Sequence, residues 1–206
     1  MNNFFNIDNP VWKFIGNLAD FFILSVLTIV CSLPIITAGA AFTSLSYITL
    51  KMASNQEGKL FQQYFRCFKR NFKQSTLIWL VFLIIGIILL IDLYYGLTAG
   101  TNFASAILIT SVVCLILWLC VLFTVFTLLA RIDNTTSNII KMAGAIAIRN
   151  FLPVISTVLV MAAFILVGLF VFWPVLLLTP GLPAYLNAFI YNHILAKYGF
   201  SLIDND

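Results

Sequence analysis

Four stretches of this chain, residues 21–50, 74–91, 93–130 and 150–192, contain no Asp, Glu, Lys or Arg. A hydrocarbon core about 30 Å thick takes roughly 20 apolar residues per helical crossing. Each stretch is therefore long enough for a span, and the first, third and last are too long for one. Hydrophobic residues make up 62% of the sequence and charged residues 9%, against about 45–50% and 25% in soluble domains. A chain of 206 residues cannot bury that much apolar surface in its own interior, so lipid must cover the surplus. The expected fold is all-α: a polytopic transmembrane helix bundle forming a single membrane domain over 1–206.

Breakers and charge divide the blocks into helices. Leu33-Pro34 and Gly39 split the first block, because proline and glycine interrupt helices. Helices are expected over 11–33 and 38–54, then over 74–96 and 104–130. Trp173-Pro174 and Thr179-Pro180-Gly181-Leu182-Pro183 split the last block into 152–178 and 183–198. Four of these are full spans. The helices at 38–54 and 183–198 are short, and each is either a crossing or a re-entrant segment shielded by protein. Six crossings, with both ends of the chain inside, are preferred to four with both ends outside. Ala38-Gly39-Ala40 has the small residues of a signal-cleavage site, but Lys13 stands against Asp8 and Asp20 ahead of it. A signal peptide needs net positive charge there, so the segment is expected to be retained.

Nine of the 11 Lys and Arg residues fall within 51–73 and 130–150. Basic residues gather in cytoplasmic loops, which places both loops on the cytoplasmic side of the membrane. In the first loop, Phe61, Tyr64, Phe65, Phe68 and Phe72 recur at helical spacing, with Lys59, Arg66, Lys69, Arg70 and Lys73 largely off that stripe. The pattern predicts an amphipathic surface helix over 58–72, aromatic side toward the headgroup boundary and bases toward anionic lipid or a docking partner. A weaker counterpart runs from Ile139 to Ile148. No module combining basic and aromatic readout residues is present, so nucleic acid is not an expected partner.

Ionisable or amide side chains within membrane segments are costly and mark candidate sites. Asp20, Asn187 and His193 are such residues here, with interhelical hydrogen bonding as the competing role. Catalytic chemistry has little to work with. A single histidine excludes two-histidine zinc motifs, no phosphate-cradling loop or nucleophile elbow occurs, and the acids are scattered singly. Cys31, Cys67, Cys114 and Cys120 have no metal-ligand spacing. Neither enzymatic activity nor a cofactor or metal is expected. Two short echoes occur, Arg70-Asn71-Phe72 with Arg149-Asn150-Phe151 and Pro34…Thr37-x-Gly39 with Pro174…Thr179-x-Gly181. Their offsets of 79 and 142 residues disagree, so they do not reflect one duplication.

Four segments carry a resemblance: FFNIDNPVWKFIGNLADFF, CSLPIITAGAAFTSLSYITLKM, EGKLFQQYFRCFKRNFKQSTLIWL and LLLTPGLPAYLNAFIYN. Together they resemble the YesL-type family, small integral membrane proteins of Gram-positive bacteria built on a domain of unknown function. The resemblance covers 4–82 and recurs at 176–192. It implies a plasma-membrane location and an accessory role beside a carbohydrate uptake or utilisation system, with a sugar-transporter subunit as partner. It carries over no catalytic or binding residues. The competing expectation is a small solute transporter acting through self-association, suggested by the helix breaks at Pro34, Gly39, Pro174, Pro180, Gly181 and Pro183, since half-helix ends can line a midplane site.

Overall fold

The computed structural model describes residues 10–54, 56, 58–99, 102–170 and 173–200. Glu57 and the Gly100-Thr101 part of the expected external turn lie outside the described residues, as do the side chains of Lys13, Asn17 and Trp173. Among the described residues all regular structure is helical: α1 Pro10–Ser32, α2 Ala38–Ala53, α3 Leu60–Thr98, α4 Asn102–Arg131, α5 Thr136–Arg149, α6 Phe151–Phe170 and α7 Gly181–Lys197. Two 3-10 turns, Ile35–Thr37 and Trp173–Leu177, lead into α2 and α7. The all-α bundle expected from the sequence is what forms. Among the described residues four stretches are long and apolar enough to cross a membrane, Ile35–Ala53, Leu60–Thr98, Phe103–Arg131 and Phe151–Phe170. The first of these holds the helix expected to be short, whereas the expected full span 11–33 contributes only the shorter apolar stretch Ala19–Ser32.

The helix α2 is the hub. Its sequence AGAAFTSLSYITLKMA is rich in small residues, which let neighbouring backbones approach closely. It packs against α1, α3, α4 and α7, and 72% of its apolar window is buried within the protein. Only 17% of the corresponding window in α3 is buried. Hydroxyls inside α2 bond to their own helix: Thr43 to Gly39 O at 2.8 Å, Ser44 to Ala40 O at 2.8 Å and Thr49 to Leu45 O at 3.0 Å. These three hydroxyls need no water partner.

The expected surface helix 58–72 and span 74–96 are one element. The 39-residue α3 runs unbroken through Lys73. Its inward stripe is Tyr64, Cys67, Asn71, Ser75, Ile78 and Phe82, a 3.6-residue period that passes the level of the basic residues without a break. Nothing in 58–74 is a helix breaker except Gly58, which precedes the helix, so intramolecular packing carries the helix beyond the apolar run. The discrete amphipathic helix is instead α5, which buries Ile139, Ala143, Ile146 and Ala147. Further along the chain, the expected helix 152–178 ends at Phe170, ahead of the 3-10 turn that contains Pro174.

The helices pair as antiparallel hairpins. Tyr64 Oη reaches both Thr28 Oγ1 and Ala41 O at 3.4 Å, tying α1 to α2 at equal distances from their turn. In the second half, Asn187 Nδ2 bonds Thr157 O at 3.1 Å and Asn150 Nδ2 bonds Tyr198 Oη at 3.0 Å, pairing α6 with α7. The α3–α4 pair is closed at its far end by Gly96 against Leu108. Because α1 and α2 are antiparallel, the start of α1 shares an end of the bundle with the α2–α3 connection whether or not the hairpin crosses. The tip of that hairpin sits beside the middle of α3, where Trp79 Nε1 donates to Ile35 O at 2.7 Å. Residues 80–98 of α3 continue for about 28 Å past that point.

The outer surface is apolar. Ile84, Ile88, Ile91, Ile109, Leu159 and Leu169 are all exposed, forming a band far larger than the few hundred Å² of a soluble monomer. At the hairpin tip, Leu33, Ile35 and Ile36 are exposed as well.

Candidate functional site

Three features concentrate the polar and candidate residues: the basic end of the bundle, a buried polar knot beneath it, and a cavity farther in.

At the basic end, Lys59 just ahead of α3 and Arg66, Lys69 and Lys73 on its outer face are exposed. Arg70 reaches Asp133 of the α4–α5 connection at 4.0 Å, and Gln74 Nε2 donates to Asn134 O at 2.8 Å. These contacts bring the α4–α5 connection against α3, so the two basic loops form one surface. Phe61 and Phe65 are exposed there. Phe68 is not: it is half-buried, stacked 6.4 Å from Tyr64 and tilted 5.6 Å from Phe72. Tyr64 itself is fully buried, so the aromatic stripe expected to face lipid is divided between core and surface.

Two bases counted with the loops lie inside. Lys51 is buried with its Nζ 5.2 Å from the centre of the Tyr47 ring. It lines a recess of about 190 Å³ together with half-buried Asp20, Met52 and Gln63. Arg131 is 6% exposed, and its Nη1 donates to Asn192 Oδ1 at 2.8 Å. Asn192 Nδ2 in turn donates to Leu50 O at 3.2 Å and Ser54 Oγ at 3.0 Å. This knot joins the ends of α2, α4 and α7. Both cations fall in the last turn of their helix, where the helix dipole favours positive charge. Sequence reasoning missed the knot because its members are 61 and 142 residues apart. Arg131 as the sole base ending a long apolar helix was the available signal.

The break residues position helices. Gly39 lies where a Cβ would stand 2.5 Å from Ser75 O and 2.6 Å from Trp79 Cβ, so glycine is what lets α2 touch α3. Pro34 precedes the 3-10 turn at φ −75°. In the second half Pro174 lies in the other 3-10 turn, Pro180 caps α7 and Pro183 is buried in its first turn, where a proline's missing N–H is harmless. Gly181 N donates to Ser25 Oγ at 2.9 Å, and a Cβ there would meet Phe21 O at 2.6 Å. The Pro…Thr-x-Gly echo thus marks one device used twice: a 3-10 turn followed by a glycine on which another helix rests. The Arg-Asn-Phe echo has no shared structure, being mid-helix in α3 and the α5–α6 junction in the second half.

The cavity, about 280 Å³, lies among α2, α3, α4, α6 and α7. Phe42, Trp79, Trp118 and Phe126 form most of its aromatic wall, with Asn187 and Tyr191 from α7. Asn187 is buried, whereas His193 is exposed. The three membrane candidates Asp20, Asn187 and His193 are therefore not brought together. The four cysteines are free thiols.

No curated protein and no solved structure matches the chain. Residues 21–93, which hold most of α1, all of α2 and most of α3, match a family model described as Protein of unknown function, DUF624.

Proposed function

We propose that this is a multi-pass plasma-membrane protein whose basic end faces the cytoplasm and docks a partner, making it an accessory subunit and not a carrier or an enzyme. The observation that carries this reading is the single-ended charge. Lys51, Lys59, Arg66, Lys69, Arg70, Lys73, Arg131, Lys141, Arg149 and Lys197 come from five helices and the α2–α3 connection, yet gather at one end of the bundle. The residues between α3 and α4 in the sequence, 99–101, carry no charge. That asymmetry matches the positive-inside bias. The α3 end also carries exposed Phe61 and Phe65 between its bases, a combination suited to anionic headgroups and to an acidic protein surface.

Following the resemblance of the N-terminal segments to the YesL-type family, the partner is a subunit of a carbohydrate uptake or utilisation system. The alternative, a sugar carrier in its own right, is disfavoured by the cavity. None of its lining residues is charged, and a sugar entering it would lose many hydrogen bonds to water without replacement.

Affinity purification of the chain from native membranes in mild detergent tests the proposal. A transporter permease or ATPase subunit is expected to co-purify. Reversing Lys59, Lys69 and Lys73 to Glu is expected to reduce its recovery about tenfold while the bundle still folds. Undiminished recovery would remove this surface from the interaction. Sugar uptake into liposomes by the chain alone would overturn the accessory reading.

A further inference from the structure

The recess at the basic end is lined by an unpaired charge of each sign. Lys51 is only 6% exposed, yet among the described residues its Nζ has neither a hydrogen-bond acceptor nor a carboxylate partner. Nor is the ammonium sealed within the protein, so the surface it keeps opens on the recess it lines. The Tyr47 ring and the C-terminal end of α2 ease its burial. Neither supplies the counter-charge that a buried cation needs. Half-buried Asp20 lines the same recess, and it too has no ion pair or side-chain hydrogen bond among the described residues. The amide of Gln63 is a third unengaged group, lying over Gly58 where a Cβ would collide with its Nε2. Gly58 and Leu60 also bring the start of α3 to the recess. Lys59 is the N-cap and makes no side-chain capping bond, which leaves the first N–H groups of this 39-residue helix open to an anion.

Position limits what can enter. Asp20 is the second residue of the apolar stretch Ala19–Ser32, and Lys51 is the third from the end of Ile35–Ala53. The recess therefore lies at the level where hydrocarbon gives way to headgroups. Asp20 repels a ligand that is only anionic and Lys51 repels one that is only cationic, so a ligand carrying both charges fits. No aromatic side chain lines the recess, which leaves it without the ring cage that quaternary ammonium groups use. An ammonium with N–H donors suits the Asp20 carboxylate instead. A cavity of about 150 Å³ holds a benzene, and this one, at about 190 Å³, has room for a compact head. We propose that the recess binds the phosphoethanolamine head of a phospholipid, its phosphate taken by Lys51, Gln63 and the N-terminus of α3 and its ammonium by Asp20. The proposal rests on the embedding of the bundle in lipid and not on partner docking.

Native mass spectrometry of the detergent-purified protein tests this, with phosphatidylethanolamine, phosphatidylcholine and phosphatidylglycerol of identical chains added in equal amounts. One copy of the ethanolamine lipid is expected to bind about tenfold more tightly than the choline lipid, as one charge-assisted hydrogen bond would give. Lys51→Met is expected to abolish that preference. Asp20→Asn, which leaves a site for anions alone, is expected to transfer it to the glycerol lipid. Soluble phosphoethanolamine lacks the chains and is expected to displace the lipid only at far higher concentration. Displacement at equal concentration would assign the site to a free solute and overturn the lipid source. Equal retention of the ethanolamine and choline lipids would overturn the proposal, as would an unchanged preference in Lys51→Met. Should Lys51→Met fail to fold, an ethanolamine preference kept by Asp20→Asn would be equally decisive against it.

Discussion

Replacing Gly39 by Ala is expected to destabilise the protein by about 1–3 kcal/mol, the range for overpacking a tight contact, and Gly39→Val by more. The added Cβ would stand 2.5 Å from the Ser75 carbonyl oxygen and 2.6 Å from Trp79 Cβ. Neither is the free end of a flexible side chain, so neither can swing away. The helices must separate instead, and α2 carries contacts to four neighbours that move with it. Gly144→Ala in α5 is the control. Its Cβ would meet nothing within 4 Å, and the alanine should stabilise by about 0.5–1 kcal/mol through helix propensity alone. Thermal unfolding in detergent, followed by loss of the monodisperse species, measures both. Equal tolerance at the two positions would show that α2 and α3 are not in close contact.

Asn192→Leu is expected to cost about 3 kcal/mol, because it leaves the buried Arg131 guanidinium without its Nη1 acceptor. The Nε of Arg131 already lacks a partner, so no spare contact offsets the loss. Arg131→Met should cost less, since Asn192 keeps its bonds to Leu50 O and Ser54 Oγ and no charge is stranded. The double variant is expected to be more stable than Asn192→Leu alone by about 1 kcal/mol, within the coupling found between contacting residues. Additive losses would mean the two side chains do not depend on each other.

These two sites mark where sequence reading succeeded and where it stopped. The helix breaks at Pro34–Gly39 and Pro174–Pro183 were legible because proline and glycine act locally, through φ and the missing N–H. Their purpose was not, since the surface that Gly39 or Gly181 receives belongs to a helix elsewhere in the chain. The continuity of α3 was hidden by the change from charged to apolar residues at Lys73, which marks a change of solvent and not the end of a helix. Its inward stripe of Tyr64, Cys67, Asn71 and Ser75 was hidden for a related reason. When lipid surrounds a bundle, the interior is no more apolar than the exterior, so hydropathy periodicity picks out the wrong face. Lys51 and Arg131 were read as loop bases because the groups that shelter them, the Tyr47 ring and Asn192, are recognisable only once α2, α4 and α7 meet.

The burial of the apolar band in lipid, with the basic end inside the cell, is tested most directly by labelling single cysteines with a membrane-impermeant maleimide. The four native cysteines are first replaced. Ala99→Cys, beyond the end of α3, is expected to react in intact cells. Lys141→Cys on α5 is expected to react only after permeabilisation. Ile36→Cys, at the exposed tip of the α1–α2 hairpin beside mid-α3, is expected to react in neither, being held within the bilayer. Labelling of Lys141→Cys in intact cells would contradict the account.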